Sequence, residues 1–171
     1  MNKLVLIILD GWGIRKSKKG NSVLLAKTPN FSKLLKENPH CGLEAAEEAV
    51  GLPKGYMGNS EVGHLNIGSG RIVKQEVTLI NESIQKGAFF KNKILLSIIK
   101  KIKKTGGRLH LMGLLSDSGI HSHIAHLFAL MKLARKFNVP ALIHIFTDGR
   151  DTPPKSAIKY IKQLNKKIIN R

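Results

Sequence analysis

Three polar loops in the sequence carry side chains that could hold a cation or an anion. Asp10 directly follows the apolar run LVLIIL (residues 4–9), His121 lies in the loop SDSGIHSH, and Arg150 and Asp151 lie in the loop TDGRD. Each loop follows an apolar segment typical of a strand, and ligands of open α/β sheets collect at the carboxyl ends of the strands. We therefore expect the last two loops to share one edge of a sheet. The Asp10 carboxylate could bind a divalent cation or, alternatively, close a turn with its neighbours in DGWG.

One serine, Ser60, is surrounded by glycines in the stretch YMGNSEVGHLNIGSGR (residues 56–71). We expect a short helix to begin near Asn59 or Ser60, where unpaired backbone N–H groups favour an incoming phosphate. His64 follows four residues later on the same helix face, so a Ser–His catalytic pair is one interpretation. The stretch lacks the Gly-x-Ser-x-Gly elbow, however, and serine or asparagine before a helix commonly caps it. From the residues alone, a capping role for Ser60 is favoured.

Histidine and arginine side chains near these loops admit more than one interpretation. His121, His123 and His126 lie close together in sequence, but no carboxylate or cysteine joins them at a spacing typical of zinc sites. His121 could instead donate to a phosphate or carboxylate, whereas His123 and His126 are expected to be surface or packing residues of a helix. Arg150 could bind an anion in bidentate fashion or pair internally with an aspartate. His144, in the middle of a predicted strand, is expected to lie in the core.

The pattern of apolar residues predicts an α/β fold built from parallel-sheet units. The run at 4–9 is continuous, rich in β-branched residues and ended by DGWG, so it is expected to form a buried strand. Further along, helices and strands alternate, which is typical of parallel strands joined by helical crossovers. The predicted elements are helices at 28–37, 93–104 and 123–137, strands at 109–115 and 141–146, and a last basic helix opened by Pro153 and Pro154. A change of composition near residues 72–80 marks a candidate domain boundary.

The composition limits the partners and the location that we expect. The 171 residues include 29 Lys and Arg against 11 Asp and Glu, and the formal net charge of +18 favours anionic partners. Only 5% of the residues are aromatic, which leaves little for stacking on bases, so specific nucleic-acid binding is not expected. Cys41 is the single cysteine, and the apolar run at 4–9 is too short for a secretory signal or a membrane span. We expect a cytoplasmic protein without membrane contact.

Four motifs occur in a fixed order between Leu4 and Pro154: LDGWG, GLPKGYMGNSEVGHLNIGSGR, GLLSDSGIHSH and FTDGRDTPP. Together they closely resemble the cofactor-independent phosphoglycerate mutases, metal-dependent enzymes of the alkaline phosphatase superfamily. A single glycine motif would be a weak sign, whereas four long motifs in register are specific. The resemblance implies the amino-terminal piece of a discontinuous, metal-binding phosphatase-like domain (residues 1–73). It also implies part of an inserted, substrate-binding transferase domain (residues 74–171).

The resemblance also implies an activity and a set of site residues. Members interconvert 2-phosphoglycerate and 3-phosphoglycerate in glycolysis, without 2,3-bisphosphoglycerate, and typically hold two Mn²⁺ ions. Ser60 would be the catalytic residue that takes the phosphoryl group as phosphoserine and returns it to the other hydroxyl of the glycerate. Asp10 and Ser60 would be metal ligands, and coordination would activate the Ser60 hydroxyl. His121, Arg150 and Asp151 would hold the substrate.

The sequence departs from the resembled pattern in two residues and in length. Glu47 stands where a Ser-Gly-like turn is expected, and Ser118 stands where glycine is usual. Family members are several-fold longer, with further metal ligands and substrate arginines downstream. We therefore expect a monomeric chain that is inactive on its own and whose partner in the complete enzyme is the small molecule phosphoglycerate. The alternatives are another metal-dependent phosphatase or phosphomutase of the same superfamily, or a basic non-enzymatic nucleic-acid-binding module.

Overall fold

The structure is a computed structural model that describes residues 3–169. The chain divides into two compact units, with the division between Val73 and Lys74. No helix within the described residues is long and apolar enough to cross a bilayer.

The first unit is built from short helices joined by long loops. Its elements are α1 (Ser22–Leu25), α2 (Pro29–Glu37), a 3₁₀ turn (Glu47–Val50) and α3 (Ser60–Ser69). Pro29 occupies the first turn of α2, where its missing N–H costs no helical hydrogen bond, so this predicted helix is confirmed. The Asn66 side chain fastens α3 to its surroundings: its Nδ2 donates to the Val50 carbonyl at 3.1 Å, and its Oδ1 accepts from the Val73 N–H at 2.8 Å.

The strand predicted at residues 4–9 does not form. The segment has no regular secondary structure, and its side chains are all exposed, from 42% at Ile8 to 93% at Leu4. A continuous apolar strand is buried only when strands flank it and helices cover it, and the described residues of this unit contain no strand. The run therefore has the composition of a central strand but finds no partner strand within residues 3–73.

Glu47, one of the two departures from the resembled pattern, adopts a conformation that favours glycine. Its φ is +55°, in the left-handed region. Its Oε1 accepts a hydrogen bond from the Gly55 N–H at 3.0 Å, so the side chain makes a contact that glycine could not make. The glutamate is thus accommodated in the turn by a local hydrogen bond that offsets part of the backbone strain.

The second unit is a parallel two-stranded sheet with helices packed on one face. Its elements are α4 (Glu76–Gln85), a 3₁₀ turn (Ala88–Lys91), α5 (Lys93–Thr105), β1 (Leu109–Leu114), α6 (Ile124–Lys136), β2 (Ala141–Phe146) and α7 (Ala157–Ile169). The two strands pair in parallel from Leu109 opposite Ala141 to Leu114 opposite Phe146. Helix α6 is the crossover between them, as parallel pairing requires. The predicted α/β class and both of these strands are confirmed.

Two apolar clusters form the core of the second unit. The buried members of the first cluster are Leu111, Leu115, Ile124, Met131, Tyr160 and Leu164. The buried members of the second cluster are Ile99, Leu133, Ala134 and Val139. Helix α6 contributes to both clusters. It packs against the sheet and α7 in the first cluster and against α5 in the second.

The ends of the helices in this unit follow from individual residues. Asn92 caps α5 by accepting from the N–H groups of Ile94 and Leu95, and Gly106 ends it with φ +67°. The expectation that Pro153 and Pro154 open the last helix is wrong, since α7 begins at Ala157. Lys155 has φ +70°, a left-handed conformation that cannot continue into an α-helix, so the two prolines belong to a turn that precedes it.

Candidate active site

Ser60 is the first residue of α3, and its side chain is exposed. The residue that caps the helix is Asn59, whose Oδ1 accepts a hydrogen bond from the Val62 N–H at 2.9 Å. The capping role favoured for Ser60 from the residues alone is therefore wrong, because asparagine one position earlier fills it. The Ser60 hydroxyl stays available at a helix amino terminus, where the helix dipole and unpaired N–H groups stabilise negative charge.

His64 contacts Ser60 but is not oriented as its general base. The His64 Nδ1 lies 2.8 Å from the Ser60 carbonyl oxygen and 3.3 Å from the Ser60 Oγ. A carbonyl oxygen only accepts hydrogen bonds, so Nδ1 carries a proton and donates it to that oxygen. A protonated Nδ1 cannot remove the proton of the hydroxyl, so this contact does not supply a general base for Ser60.

Asp10 lies in an exposed turn at the end of the apolar run. The turn is closed by a hydrogen bond from the Trp12 N–H to the Leu9 carbonyl at 3.1 Å. Within residues 3–169 the Asp10 carboxylate forms no salt bridge, so it is available to a cation. The same residues contain no group of three or more His, Cys, Asp or Glu side chains that could enclose a metal. The Asp10 carboxylate and the Ser60 hydroxyl are hard oxygen ligands suited to a divalent ion, but two ligands do not complete a site.

The loops that follow β1 and β2 lie together. The His121 Nε2 is 3.6 Å from the Asp151 Oδ2, and the Asp151 side chain is only 12% exposed, against 63% for His121. The internal Asp–Arg pair considered as an alternative is not present, since Arg150 is exposed and forms no salt bridge within residues 3–169. An imidazole, a carboxylate and a guanidinium thus come from two loops at the carboxyl ends of adjacent parallel strands.

A buried aspartate that the sequence analysis did not single out holds the second loop in shape. The Asp148 Oδ1 accepts hydrogen bonds from the N–H groups of Arg150 and Asp151, each at 3.0 Å. Asp148 is only 7% exposed, and its Oδ2 has no hydrogen-bond partner among the described residues. This Asp–x–Arg–Asp turn fixes the backbone that carries both candidate substrate residues.

The carboxyl group of Asp148 is kept ionised by its surroundings. Burial, the largest single influence, would raise its pKa, but the N–H groups of Arg150 and Asp151, the Ser116 hydroxyl and the Thr152 N–H together lower it by more. The pKa of Asp148 therefore lies below its ordinary value. An ionised carboxylate is the stronger acceptor for the two N–H groups that it holds.

A second aspartate, Asp117 in the loop after β1, anchors that loop to α7. The Tyr160 hydroxyl donates to the Asp117 Oδ1, and the Lys159 Nζ lies 3.4 Å from the Asp117 Oδ2. The Tyr160 hydrogen bond lowers the pKa of Asp117, more than burial raises it, with a smaller lowering from Lys159. The same hydrogen bond, together with burial, raises the pKa of Tyr160. The loop that carries His121 is thus tied to the last helix by a charge-assisted contact.

We predict that Tyr160→Phe lowers the free energy of unfolding at pH 7 by about 1 kcal/mol, because it removes this hydrogen bond and leaves the buried ring in place. The pKa of Asp117 is lowered in the folded state. The stability that the Asp117 carboxylate contributes is therefore complete above its unfolded pKa of about 3.9 and is lost as pH falls through the folded pKa. The pKa of Tyr160 is raised in the folded state. The stability that its hydroxyl contributes is therefore complete below about pH 10 and is lost at higher pH. Urea unfolding of both proteins at pH 7 and pH 3 measures this difference in unfolding free energy. An equal loss of stability in the variant at both pH values would contradict the prediction.

The neighbouring histidines have structural contacts, as expected. The His123 Nδ1 accepts from the Ala125 N–H at 3.1 Å and caps α6, and the His126 Nε2 donates to the Asn81 Oδ1 at 2.7 Å. Burial lowers the pKa of both imidazoles, partly countered at His123 by Asp117 and reinforced at His126 by His123. Both rings are therefore neutral at pH 7, with defined hydrogen-bond partners.

His144, expected in the core, is exposed instead. Its Nε2 lies 2.9 Å from the Nδ1 of His110, the residue of β1 that projects from the same face of the sheet. The described sheet has only two strands, and its helices cover the face that carries Leu111 and Ile143, which leaves the histidine face open. The prediction assumed a sheet covered on both faces, as alternating strands and helices usually indicate.

Comparison with known proteins identifies the family. Residues 80–171, more than half of the chain, match the family model described as BPG-independent PGAM N-terminus. The chain belongs to the BPG-independent phosphoglycerate mutase family. The resemblance drawn from the four motifs is thereby confirmed.

The phosphoglycerate mutases most useful for comparison extend the match to nearly the whole chain. A 2,3-bisphosphoglycerate-independent phosphoglycerate mutase 1 of Methanosarcina barkeri is 58% identical over 163 residues, which are 95% of this chain and 32% of the relative. The corresponding mutase of Mycoplasmoides gallisepticum is 52% identical over 98% of this chain and 33% of its own length. This chain therefore spans about a third of the length of the mutases it matches.

A solved structure gives the same result for the fold. A phosphoglycerate mutase of Leishmania mexicana, crystallised at low cobalt concentration, aligns with a TM-score of 0.72 at 33% identity. The alignment covers 85% of this chain and 27% of that mutase. The described residues thus have the fold of one part of a phosphoglycerate mutase.

Proposed function

We propose that this chain is the amino-terminal part of an enzyme that interconverts 2-phosphoglycerate and 3-phosphoglycerate through a phosphoserine at Ser60, without 2,3-bisphosphoglycerate. The observation that carries the proposal is the 58% identity with the Methanosarcina barkeri mutase over 95% of the chain. The reaction is an isomerisation of glycolysis and gluconeogenesis. Its partner is a small molecule, and we assign neither specific nucleic-acid nor membrane binding to the chain. We also propose a cytoplasmic location and a monomeric state.

The two units have different tasks in this proposal. Residues 1–73 are the first piece of the metal-binding, phosphatase-like domain, and they carry Asp10 and Ser60. Residues 74–171 are part of the substrate-binding transferase domain, and they carry His121, Arg150 and Asp151. The exposed apolar run at 4–9 supports the first assignment, because it has the composition of a strand whose neighbours come from another segment.

The substrate is held by charge and hydrogen bonding in the loops after β1 and β2. Phosphoglycerate carries a phosphate and a carboxylate, and the Arg150 guanidinium suits bidentate contact with either. Asp151, near His121 at 3.6 Å, accepts a hydrogen bond from a glycerate hydroxyl. Asp148 is a positioning residue in this account, because it holds the backbone N–H groups of both Arg150 and Asp151.

Asp10 and Ser60 fit a divalent cation by the chemistry of their donor atoms, and we assign them to the two-Mn²⁺ centre of the complete enzyme. When bound, the metal would activate the serine hydroxyl, a task for which the Nδ1 of His64 is unsuited. The chain itself presents the Ser60 hydroxyl at the amino terminus of α3. There the backbone N–H groups and the helix dipole stabilise the negative charge of an arriving phosphoryl group.

The isolated chain should lack mutase activity because a metal centre needs more ligands than these two residues provide. The test joins residues 1–171 to the remaining length of the Methanosarcina barkeri mutase. We expect turnover of 3-phosphoglycerate by this chimera with Mn²⁺, as by the intact relative, and none by the isolated chain. Turnover by the isolated chain, or a folded chimera that binds Mn²⁺ without turnover, would contradict the proposal.

A further inference from the structure

A groove with an apolar floor lies between α4, α6 and α7 of the second unit. This open groove has a volume of about 430 Å³, within the range of small-molecule sites. The apolar residues that line it are Ile84, Phe90, Ala125, Phe128, Ala129 and Met131. None of the candidate active-site residues lines this groove, so it is a separate feature of the surface.

Three cations surround this floor. They are Lys132, Arg135 and Lys167, and among the residues that the structure describes no acidic side chain lines the groove. Within residues 3–169 none of the three forms a salt bridge, although this chain pairs other lysines with Glu82 and Asp117. The groove therefore has a concentrated positive charge without a counter-charge of its own.

The contacts of these cations keep them close to the apolar floor. The Lys132 Nζ lies 5.3 Å from the centroid of the Phe90 ring, and the Lys167 Nζ lies 5.8 Å from that of Phe128. The Arg135 guanidinium donates to the Lys167 carbonyl oxygen, which joins the rim across α6 and α7. Cation–π contact orders the ammonium groups beside the rings and leaves N–H donors free for an anion.

We propose that this groove binds an amphipathic anion of the fatty-acid class, with the alkyl chain on the floor and the carboxylate among the three cations. Charge complementarity selects this occupant. A small inorganic anion would leave the apolar floor in water, and a neutral apolar molecule would desolvate cations without pairing them. A cationic amphiphile would meet three like charges. The proposal is independent of the mutase reaction, since it assigns no role in that reaction to the groove.

Direct binding to the whole chain tests the proposal. Calorimetric titration with decanoate, below the concentration at which it forms micelles, should show one saturable site. Decyltrimethylammonium has the same alkyl chain with the opposite charge and should show no such site. Equal binding of the two amphiphiles would overturn the proposal, because it would mean that only the alkyl chain is recognised.

Two matched variants locate the site. Lys132→Gln with Arg135→Gln should weaken decanoate binding by about tenfold, because two exposed charges leave the rim. Lys101→Gln with Lys103→Gln removes the same net charge from α5, outside the groove, and should change the affinity by less than about twofold. Equal weakening by both pairs would show that the net charge attracts decanoate nonspecifically, and would overturn the assignment.

A third variant blocks the floor without changing the charge. Ala125 lines the groove and is exposed, so Ala125→Leu should fill the space while the helix is retained, and decanoate binding should be lost. Retained binding in this variant, with its helix content verified by circular dichroism, would overturn the proposal. Tighter binding of an acidic amphipathic peptide, abolished by the same variants, would assign the groove to a protein partner and contradict the fatty-acid class.

Discussion

Ser60→Ala in the chimera with the Methanosarcina barkeri mutase should lower phosphoglycerate turnover by about 10⁴-fold or more, because the variant removes the atom that accepts the phosphoryl group. Alanine is a good helix former and Asn59 remains the cap, so α3 should still form. Steady-state turnover with Mn²⁺ measures the effect. Unchanged thermal unfolding of the variant would separate this chemical loss from a loss of folding.

Two controls in the same helix sharpen this result. Ser69→Ala removes the other serine of α3, whose hydroxyl bonds to the Leu65 carbonyl at 2.7 Å, and should leave turnover nearly unchanged. His64→Ala tests the interpretation of the Ser–His contact. Since Nδ1 donates to a carbonyl, we expect a far smaller loss than for Ser60→Ala. Equal losses for the His64 and Ser60 variants would restore the catalytic pair and contradict our account.

Leu133→Ala should lower the free energy of unfolding of the second unit by about 2–5 kcal/mol. Leu133 is 1% exposed, lies on α6 and packs in the cluster with Ile99, Ala134 and Val139. Removing its side chain loses buried apolar contacts and leaves a cavity between α6 and α5. Because small domains are stable by only about 5–15 kcal/mol, this one change removes a large part of the stability.

The matched control for this prediction is the same substitution on an exposed leucine. Leu79 on α4 is 50% exposed, so Leu79→Ala should cost less than about 1 kcal/mol. Urea unfolding at pH 7, followed by circular dichroism, measures both variants. Similar losses for Leu79 and Leu133 would mean that α6 is not the centre of the core.

The elements predicted correctly are those with local signals. Helix α5 has apolar residues at helical spacing, an asparagine cap at Asn92 and a terminal Gly106, so its sequence defines both ends. The strands at 109–114 and 141–146 are short, apolar and separated by one amphipathic helix, which is the pattern of a parallel crossover. Helix α4 was not predicted, although Val77, Ile80 and Ile84 have helical spacing, because no side chain caps its amino terminus.

The wrong predictions concern contacts that other segments determine. The run at 4–9 has the composition of a buried strand, but burial depends on neighbouring strands, and a sequence window does not show whether these are present. His144 is exposed for the same reason, since one face of the sheet is uncovered within the described residues. Asp148 was not predicted to hold its loop, although an aspartate two and three residues before the N–H groups that it binds is a recognisable turn signal.

The candidate site also combines features that local sequence signals predict with features that they do not. The sequence predicts His121 and Asp151 at one edge of the sheet, because each lies in a loop that follows a parallel strand. In the structure the His121 Nε2 lies 3.6 Å from the Asp151 Oδ2. The roles of Asp10, Ser60, His121, Arg150 and Asp151 in phosphoryl transfer rest on the family and remain predictions. Local geometry adds only that Ser60 is exposed at a helix amino terminus and that His64 is engaged with a carbonyl.

Mapping the phosphorylated residue tests the central claim most directly. The chimera, quenched during turnover and cleaved by trypsin, should yield the peptide of residues 55–71, which contains two serines, Ser60 and Ser69. Fragmentation in the mass spectrometer assigns a phosphate to one of them. We expect phosphoserine at position 60, present with phosphoglycerate and absent without it. Phosphate on Ser69, or turnover with no phosphate on this peptide, would contradict the account.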